Sequence, residues 1–291
     1  MKHKDSIVIN SESKTEAIDC PYCNESKNLP WAKENGFVAV KCIACGLVYV
    51  NPRPTQTLIR ESVETGVHSN VGHGRTAIAH RVGSNVSRYK RIFSSMFHDV
   101  WQNHKKLSWI DVGAGYGEIV EAVAALAPLG SQVEGIEPMK PKAYRAQARG
   151  LKISEKYLHD VTKKFDFVSL VNVYSHIPDF RFFLDEIKNV LVENGELYLE
   201  TGNIGDLDDC FEVPTELYLP DHLVFAGEHH LKGYLSDAGF SIIAIKSMRM
   251  DGLINFLKNI IKKIIGRQIT LAFPYTSRFR TIMIRAKLRS S

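Results

Sequence analysis

Between Trp109 and Glu118 the chain reads Trp-Ile-Asp-Val-Gly-Ala-Gly-Tyr-Gly-Glu: an apolar β-type run, three alternating glycines, then the start of a helical pattern. Glycine accepts the left-handed backbone that so tight a strand-to-helix turn needs, and it lets main chain approach a bound group closely. Such a turn belongs at the carboxyl end of a strand in an open α/β sheet. The sequence after Leu107 supplies the rest of that sheet. Short β-rich runs over 108–112, 132–136, 167–171, 196–200, 241–245 and 281–286 alternate with helical periodicity over 118–126, 140–149, 182–192 and 230–238. The alternation predicts crossover units and a Rossmann-like doubly wound parallel sheet, covered on both faces, with Gly195 and Gly239 ending helices ahead of the next strand.

A second constraint lies upstream. Cys20-Pro-Tyr-Cys23 and Cys42-Ile-Ala-Cys45 are paired C-x2-C knuckles, a spacing that lets Cys20, Cys23, Cys42 and Cys45 close around Zn²⁺. Some 30 residues bury too little apolar surface to fold unaided, so the expectation is a structural zinc ribbon over 18–52. Residues 1–17 read as a flexible tail, 53–105 as a helical lid or linker, and 106–291 as the sheet domain. Cys210 reads as a small apolar side chain.

With 291 residues, 44% hydrophobic and 24% charged, the chain excludes disordered and fibrous classes. No apolar run reaches the roughly 18 residues of a membrane span, and the polar start lacks a signal-like apolar core, which predicts a cytoplasmic location. The net charge of +5 is unevenly placed: residues 246–291 hold five Lys and six Arg against Asp251, giving +10, so residues 1–245 carry 5 − 10 = −5. An acidic body argues against a phosphate-tracking nucleic-acid surface.

The run at 132–136 leads into Glu137, placed to accept both hydroxyls of a ribose. A dinucleotide fingerprint would read G-x-G-x-x-G with a bare helix N-terminus for pyrophosphate. Here the third glycine comes one residue early, Glu118 opens the helix, and Asp111 sits at the loop mouth. Those charges repel a diphosphate, which disfavours nicotinamide-linked oxidoreduction, and suit the ammonium and sulfonium of S-adenosylmethionine.

D-V-G-A-G-Y-G-E followed by G-I-E-P, F-D-F-V-S-L-V-N-V-Y-S-H-I-P-D and N-G-E-L-Y-L-E-T resembles the class I S-adenosylmethionine-dependent methyltransferases over about 107–286. The segments C-P-Y-C…C-x-x-C-G-L-V-Y-V-N-P-R-P and P-D-H-L-V-F-A resemble the subgroup with a fused zinc-binding domain, many of whose members act on sugars or other small metabolites. The resemblance implies that Asp111, Gly113 and Gly115, with Ala114, hold the methionine end. It implies that Glu137, with Pro138 beside it, holds the ribose, that Tyr116 flanks the cofactor, and that Asn172 and Val173 line the methyl-transfer face. The acidic adenine contact of the family has no clean counterpart in 154–160. The acceptor expected by this analogy is a sugar or nucleotide-sugar hydroxyl.

A hydroxyl acceptor needs a base, and histidine suits neutral pH. His222 lies in Pro-Asp-His-Leu, where Asp221 could orient it, and His176 follows the fourth strand of the sheet domain. Tyr218 is an alternative proton acceptor or stacking platform. His229 and His230 read as surface residues, and His68, His73 and His80 belong to the expected lid. The acidic run Asp206-Leu-Asp-Asp-Cys-Phe-Glu212 reads as a solvated loop, with a cation grip as the alternative. Residues 252–266 form a strongly amphipathic pattern, suited to packing on the body or a twin subunit, or to peripheral contact with an anionic membrane. Rival functions are an rRNA or tRNA methyltransferase that uses the ribbon on RNA, and a non-catalytic adaptor on a methyltransferase-like scaffold.

Overall fold

A computed structural model describes residues 14–66, 85–103, 106–213, 216–249, 252–265, 273 and 276–290. His68, His73 and His80 lie outside them. The first elements are β1 (Thr15–Glu16), β2 (Asn28–Glu34), β3 (Phe37–Cys42), β4 (Val48–Val50), β5 (Arg53–Pro54), α1 (Gln56–Thr65), α2 (Val86–Met96) and α3 (His98–Asn103). There follow β6 (Ser108–Val112), α4 (Glu118–Ala124), β7 (Gln132–Ile136), α5 (Lys140–Gln147), β8 (Ile153–Ser154), β9 (Phe165–Val171), α6 (Phe180–Val190) and β10 (Leu191–Gly202). The chain continues through β11 (Val224–Phe225), α7 (Glu228–Asp237), β12 (Phe240–Arg249), α8 (Leu253–Ile264) and β13 (Arg280–Leu288).

Seven strands form the central sheet in the order β12-β13-β10-β9-β6-β7-β8. Strands β10, β9, β6, β7 and β8 pair parallel, as the alternation predicts. The edge departs from an all-parallel sheet: β13 pairs antiparallel with both β10 and β12. It returns from β12 beside its predecessor without crossing the sheet, and antiparallel pairing is the geometry such a return permits. The order reverses between β6 and β9, the switch point where open α/β sheets bind ligands.

Trp109 of β6 anchors one sheet face. Its ring lies 5.4 Å from Phe93 and 5.0 Å from each of Phe97 and Phe167, and its Nε1 donates to Ser169 Oγ at 2.9 Å. The helical segment expected as a lid therefore divides: α2 and α3 are built into this core, while 67–84 falls outside the described residues. Arg285 of β13, 4% exposed in its side chain, binds Asp99 of α3 and Glu196 of β10, at 2.6 Å each.

The N-terminal module is less separate than expected. The pairing of β1 with β5 draws residues 15–16 out of the expected tail. Strand β2 joins β3 through an Asn35-Gly36 turn with φ of 51° and 85°, the combination a tight type I′ hairpin requires. The module's sheet is completed by β11, where Val224 pairs with Tyr49 and Phe225 with Val48. Cys20, Cys42, Leu47 and Tyr49 share one apolar cluster with Val112, Leu170 and Leu199 of the large sheet.

Two expectations about single residues need correction. Gly195 does not cap α6: the left-handed conformation falls on Asn194 (φ 61°), and Gly195 lies in the bulged start of β10, where a Cβ would meet Leu191 and the Val192 carbonyl at 2.9 Å. Gly239, at φ 88°, does end α7. His230 is not a surface residue but is fully buried; its Nδ1 accepts from the Gly227 N–H at the start of α7, and Tyr22 of the module packs edge-on against its ring. No helix of the described residues is long and apolar enough to cross a membrane.

Candidate functional site

The glycine turn sits at the carboxyl ends of β6 and β7. Gly113, Gly115 and Gly117 all have positive φ (69°, 54° and 82°). At Gly113 a Cβ would stand 2.5 Å from Val173 Cγ2, so the turn and the loop after β9 touch there with no room for a side chain. At Gly115 a Cβ would meet nothing within 4 Å, which leaves open space beside bare backbone. Glu137, 6% exposed, accepts from the Gly115 N–H at 2.7 Å through one oxygen and from the Met139 N–H at 2.9 Å through the other. The carboxylate thus braces the turn and keeps lone pairs for two further donors. Ala114 bonds back to the Ile136 carbonyl at 2.9 Å, and Pro138 lies between Glu137 and the Met139 N–H it binds. The Tyr116 ring is buried with the Arg145 guanidinium 6.0 Å from its centroid.

Asp111 is 2% exposed and accepts from Ser169 Oγ at 2.5 Å. Burial pushes its carboxyl up to about 8; the Ser169 hydroxyl opposes that shift and the Glu137 charge adds to it. A buried acid with that bias, beside a second carboxylate, is an environment that gains from a cation.

A cleft of about 1060 Å³ opens from Asn172, next to Val173, and runs along the ends of β10 and β13. Its walls include Ser175, Tyr218, His222 and the ion pair of Arg88 with Glu200 (2.8 Å). Glu200, 1% exposed, also accepts from Tyr198 Oη at 2.7 Å. Five cations line the cleft (Arg88, Arg91, Lys246, Arg249 and Lys258) against two acids, Glu200 and Glu216. Three of the five come from the basic C-terminal stretch, so part of its charge faces this cleft. Other parts are structural: Arg278 binds Asp208 and Glu212, and Arg285 is internal.

His176 and His222 come together, ring centroids 4.7 Å apart. Asp221 turns to His176 rather than to its sequence neighbour: His176 Nδ1 donates to the Asp221 carbonyl at 2.8 Å, with a carboxylate oxygen at 3.6 Å. Desolvation works to lower the His176 pKa, but Asp221 outweighs it and the net shift is upward. His222 is pushed down to about 4 by burial and by the charge of His176, with Asp221 opposing. Of the two, His222 lines the cleft. The acidic run is largely exposed, as a solvated loop is, and is anchored at points along it: Glu212 binds Arg278, Asp206 accepts from the Glu228 N–H, and Asp209 caps its own turn.

In the module, Cys20 Sγ lies 3.5 Å from Cys45 Sγ and Cys23 Sγ 3.6 Å from Cys42 Sγ, all four within 4.8 Å of one another. A tetrahedron of Zn–S bonds of about 2.3 Å has edges of about 3.8 Å, so four thiolates here fit that ion. Burial pushes the Cys20 thiol up to about 11, and a buried thiolate there calls for a cation.

Sequence reasoning missed Arg88, Glu200, Arg91 and Lys246. Glu200 had a signal, since it ends a strand at the sheet's binding edge; the cations sit on surface-patterned segments and had none.

Comparison with known proteins agrees with this geometry. A family model described as a methyltransferase domain matches residues 80–245, more than half of the chain. The ubiquinone biosynthesis O-methyltransferase of Pelagibacter ubique (strain HTCC1062) is 31% identical over 108 residues, covering 34% of this chain and 43% of that protein. The match thus spans less than half the length of that relative. Among solved structures, the [4+2]-cyclase SpnF superposes with a TM-score of 0.50 at 16% identity, over 69% of this chain and 82% of that one. Magnesium protoporphyrin IX methyltransferase (ChlM) from Synechocystis PCC 6803, with bound SAH, gives 0.47 at 16% identity, over 75% and 90%. By the family match and its sheet order, the chain belongs to the methyltransferase domain family and has the class I, S-adenosylmethionine-dependent fold.

Proposed function

We propose that the protein transfers the methyl group of S-adenosylmethionine to a hydroxyl of a small, anionic, sugar-like acceptor such as a nucleotide-sugar. The observation that carries this reading is the junction at Asn172 and Val173. Val173 touches Gly113 of the glycine turn, and Asn172 opens the cationic cleft that holds His222. Donor and acceptor sites thus adjoin, as an in-line displacement requires.

Asp111 faces the donor's cationic end, Glu137 accepts its ribose hydroxyls, and open space beside Gly115 leaves room for it. The bound donor supplies a methyl carbon activated by an adjacent sulfonium. On the acceptor side His222, unprotonated at neutral pH, takes the hydroxyl proton as the acceptor oxygen bonds to the methyl carbon. The broken C–S bond leaves its electron pair on sulfur. His176 and Asp221 hold the loop carrying His222, and the Asp221 carboxylate offsets the charge it acquires. Arg91, Lys246 and Lys258, none paired with a carboxylate among the described residues, offer charge to the acceptor's anionic group. An oxygen acceptor agrees with the name of the Pelagibacter relative. The four cysteines hold a structural Zn²⁺, since four thiolates fill its shell.

The test is calorimetry with S-adenosylhomocysteine on the full chain. Glu137→Ala weakens its binding by about 1–3 kcal/mol, the scale of hydrogen bonds to a charged group. His222→Ala leaves binding intact and stops methylation of a nucleotide-sugar panel followed by mass spectrometry. Absence of binding overturns the reading.

The exposed stripe Leu257, Ile261 and Ile264 on α8, flanked by Lys258 and Lys263, supports peripheral contact with an anionic membrane. Co-sedimentation with phosphatidylserine vesicles, lost in Leu257→Glu, tests it; equal sedimentation of both proteins rejects it.

A further inference from the structure

The hairpin tip of the cysteine module reaches the acceptor side of the cleft. Glu34, the last residue of β2, accepts from the Leu217 N–H at 2.8 Å through one carboxylate oxygen and from the Leu219 N–H at 3.2 Å through the other. Asn35 adds a bond from its side-chain amide to the Leu219 carbonyl, at 2.8 Å. All three bonds flank Tyr218, whose φ is +62°. That conformation is disfavoured for a bulky side chain, and a ring 46% exposed is not held there by packing. Contacts on either side must hold it, and the charged carboxylate gives the stronger ones. The Tyr218 carbonyl in turn accepts from the His222 N–H at 3.1 Å, and the two rings lie 5.8 Å apart along the cleft wall.

We propose that Glu34 and Asn35 are positioning residues: a clasp, supplied by the module, that locks the Tyr218 backbone and through it sets His222 over the acceptor cleft. This rests on the acceptor-side reading of the cleft given above. The module then serves more than its own folding, because its hairpin tip shapes the part of the site that meets the acceptor and leaves the glycine turn untouched. The Asn35-Gly36 turn suits this task, since a two-residue turn holds Glu34 and Asn35 rigidly at the end of a twisted ribbon.

The clasp is tested on the full, metal-loaded chain by amide hydrogen exchange at Leu217 and Leu219 and by NMR titration of the His222 ring. The groups facing that ring are His176, Asp221, Tyr218, the Leu217 backbone, whose bond raises the ring's pKa, and the Phe225 ring. In Glu34→Ala the two amides exchange at least tenfold faster, and the His222 midpoint climbs from about 4 towards the ordinary value of about 6.5 as water reaches the loosened loop. Glu34→Gln, whose one carbonyl oxygen can accept from only one of the two N–H groups, restores protection at one amide and reverses part of the His222 shift. Asn35→Gly keeps the turn, loses the Leu219 bond and gives a smaller shift in the same direction; it also serves if Glu34→Ala fails to fold. Unchanged His222 titration in a variant whose amides exchange faster overturns the proposal, as do unchanged amides. S-adenosylhomocysteine affinity and zinc content stay constant throughout. Loss of that affinity in the wild type defeats the methyltransferase reading, while the exchange data still decide the clasp.

Discussion

Asp111 carries the sharpest consequence at the level of a single residue. Its folded carboxyl titrates near 8, against about 3.9 in an unfolded chain, so the native state keeps a proton that the unfolded state has released. Stability without ligand therefore falls as pH rises from about 4 to 8, and Asp111→Asn removes that slope; chemical melts at pH 5, 6.5 and 8 compare the two. The ammonium of S-adenosylhomocysteine favours a nearby carboxylate, so its affinity should climb with pH, by at most about tenfold per unit, until it levels above 8. Calorimetry in buffers of different ionisation heat reads the released proton, and a flat profile removes Asp111 from the ligand site. That Asp111, the glycine turn and Glu137 meet at one edge of the sheet was legible in sequence because strand, turn and acid stand in fixed order. The partner of Asp221 was not: adjacency suggested His222, whereas the backbone of the loop directs the carboxylate to His176.

Among the elements, α3 is short, and its attachment to the sheet is ionic as well as aromatic. Arg285 places its guanidinium over the Phe97 ring at 4.6 Å while gripping Asp99 and Glu196. Arg285→Ala should cost about 3–5 kcal/mol in denaturant melts, because Glu196, with a side chain only 14% exposed, is left without its partner. Arg285→Met with Glu196→Gln should recover much of that loss. The strands Ser108–Val112 and Gln132–Ile136 match the sequence reading residue for residue, since apolar runs ended by a glycine turn or an acid leave little freedom in register. Strand β2 escaped notice because Asn-Leu-Pro-Trp-Ala-Lys-Glu has a proline and no clean alternation; its pairing with β3 decides it. Strand β11 is two residues long, and only its partner β4 makes it a strand.

For the whole molecule, the cysteine module and the sheet domain are stitched by β4–β11 pairing, by the Leu223 carbonyl accepting from the Val50 N–H at 2.8 Å, and by a shared apolar cluster. Stripping metal from the intact chain with a strong chelator should therefore loosen residues 217–225 along with the cysteine loops. Limited proteolysis would show new cuts in both regions, while S-adenosylhomocysteine still binds, since the hydrogen bonds from Ala114, Gly115 and Gly117 that hold the glycine turn stay within the sheet domain. Cuts confined to the cysteine loops would mean that the two parts are mechanically independent. The division of charge between the acidic front and the basic end is legible in sequence, but its purpose is not. It takes the fold to bring Lys246, Arg249 and Lys258 around one cleft.

The borrowed strand β11 also bears on how such a chain can be reshaped. A chimaera that grafts residues 14–54 onto another sheet domain would leave one edge of the graft unpaired unless the segment around 217–225 travels with it, because the two pieces, far apart along the chain, form a single transplantable unit.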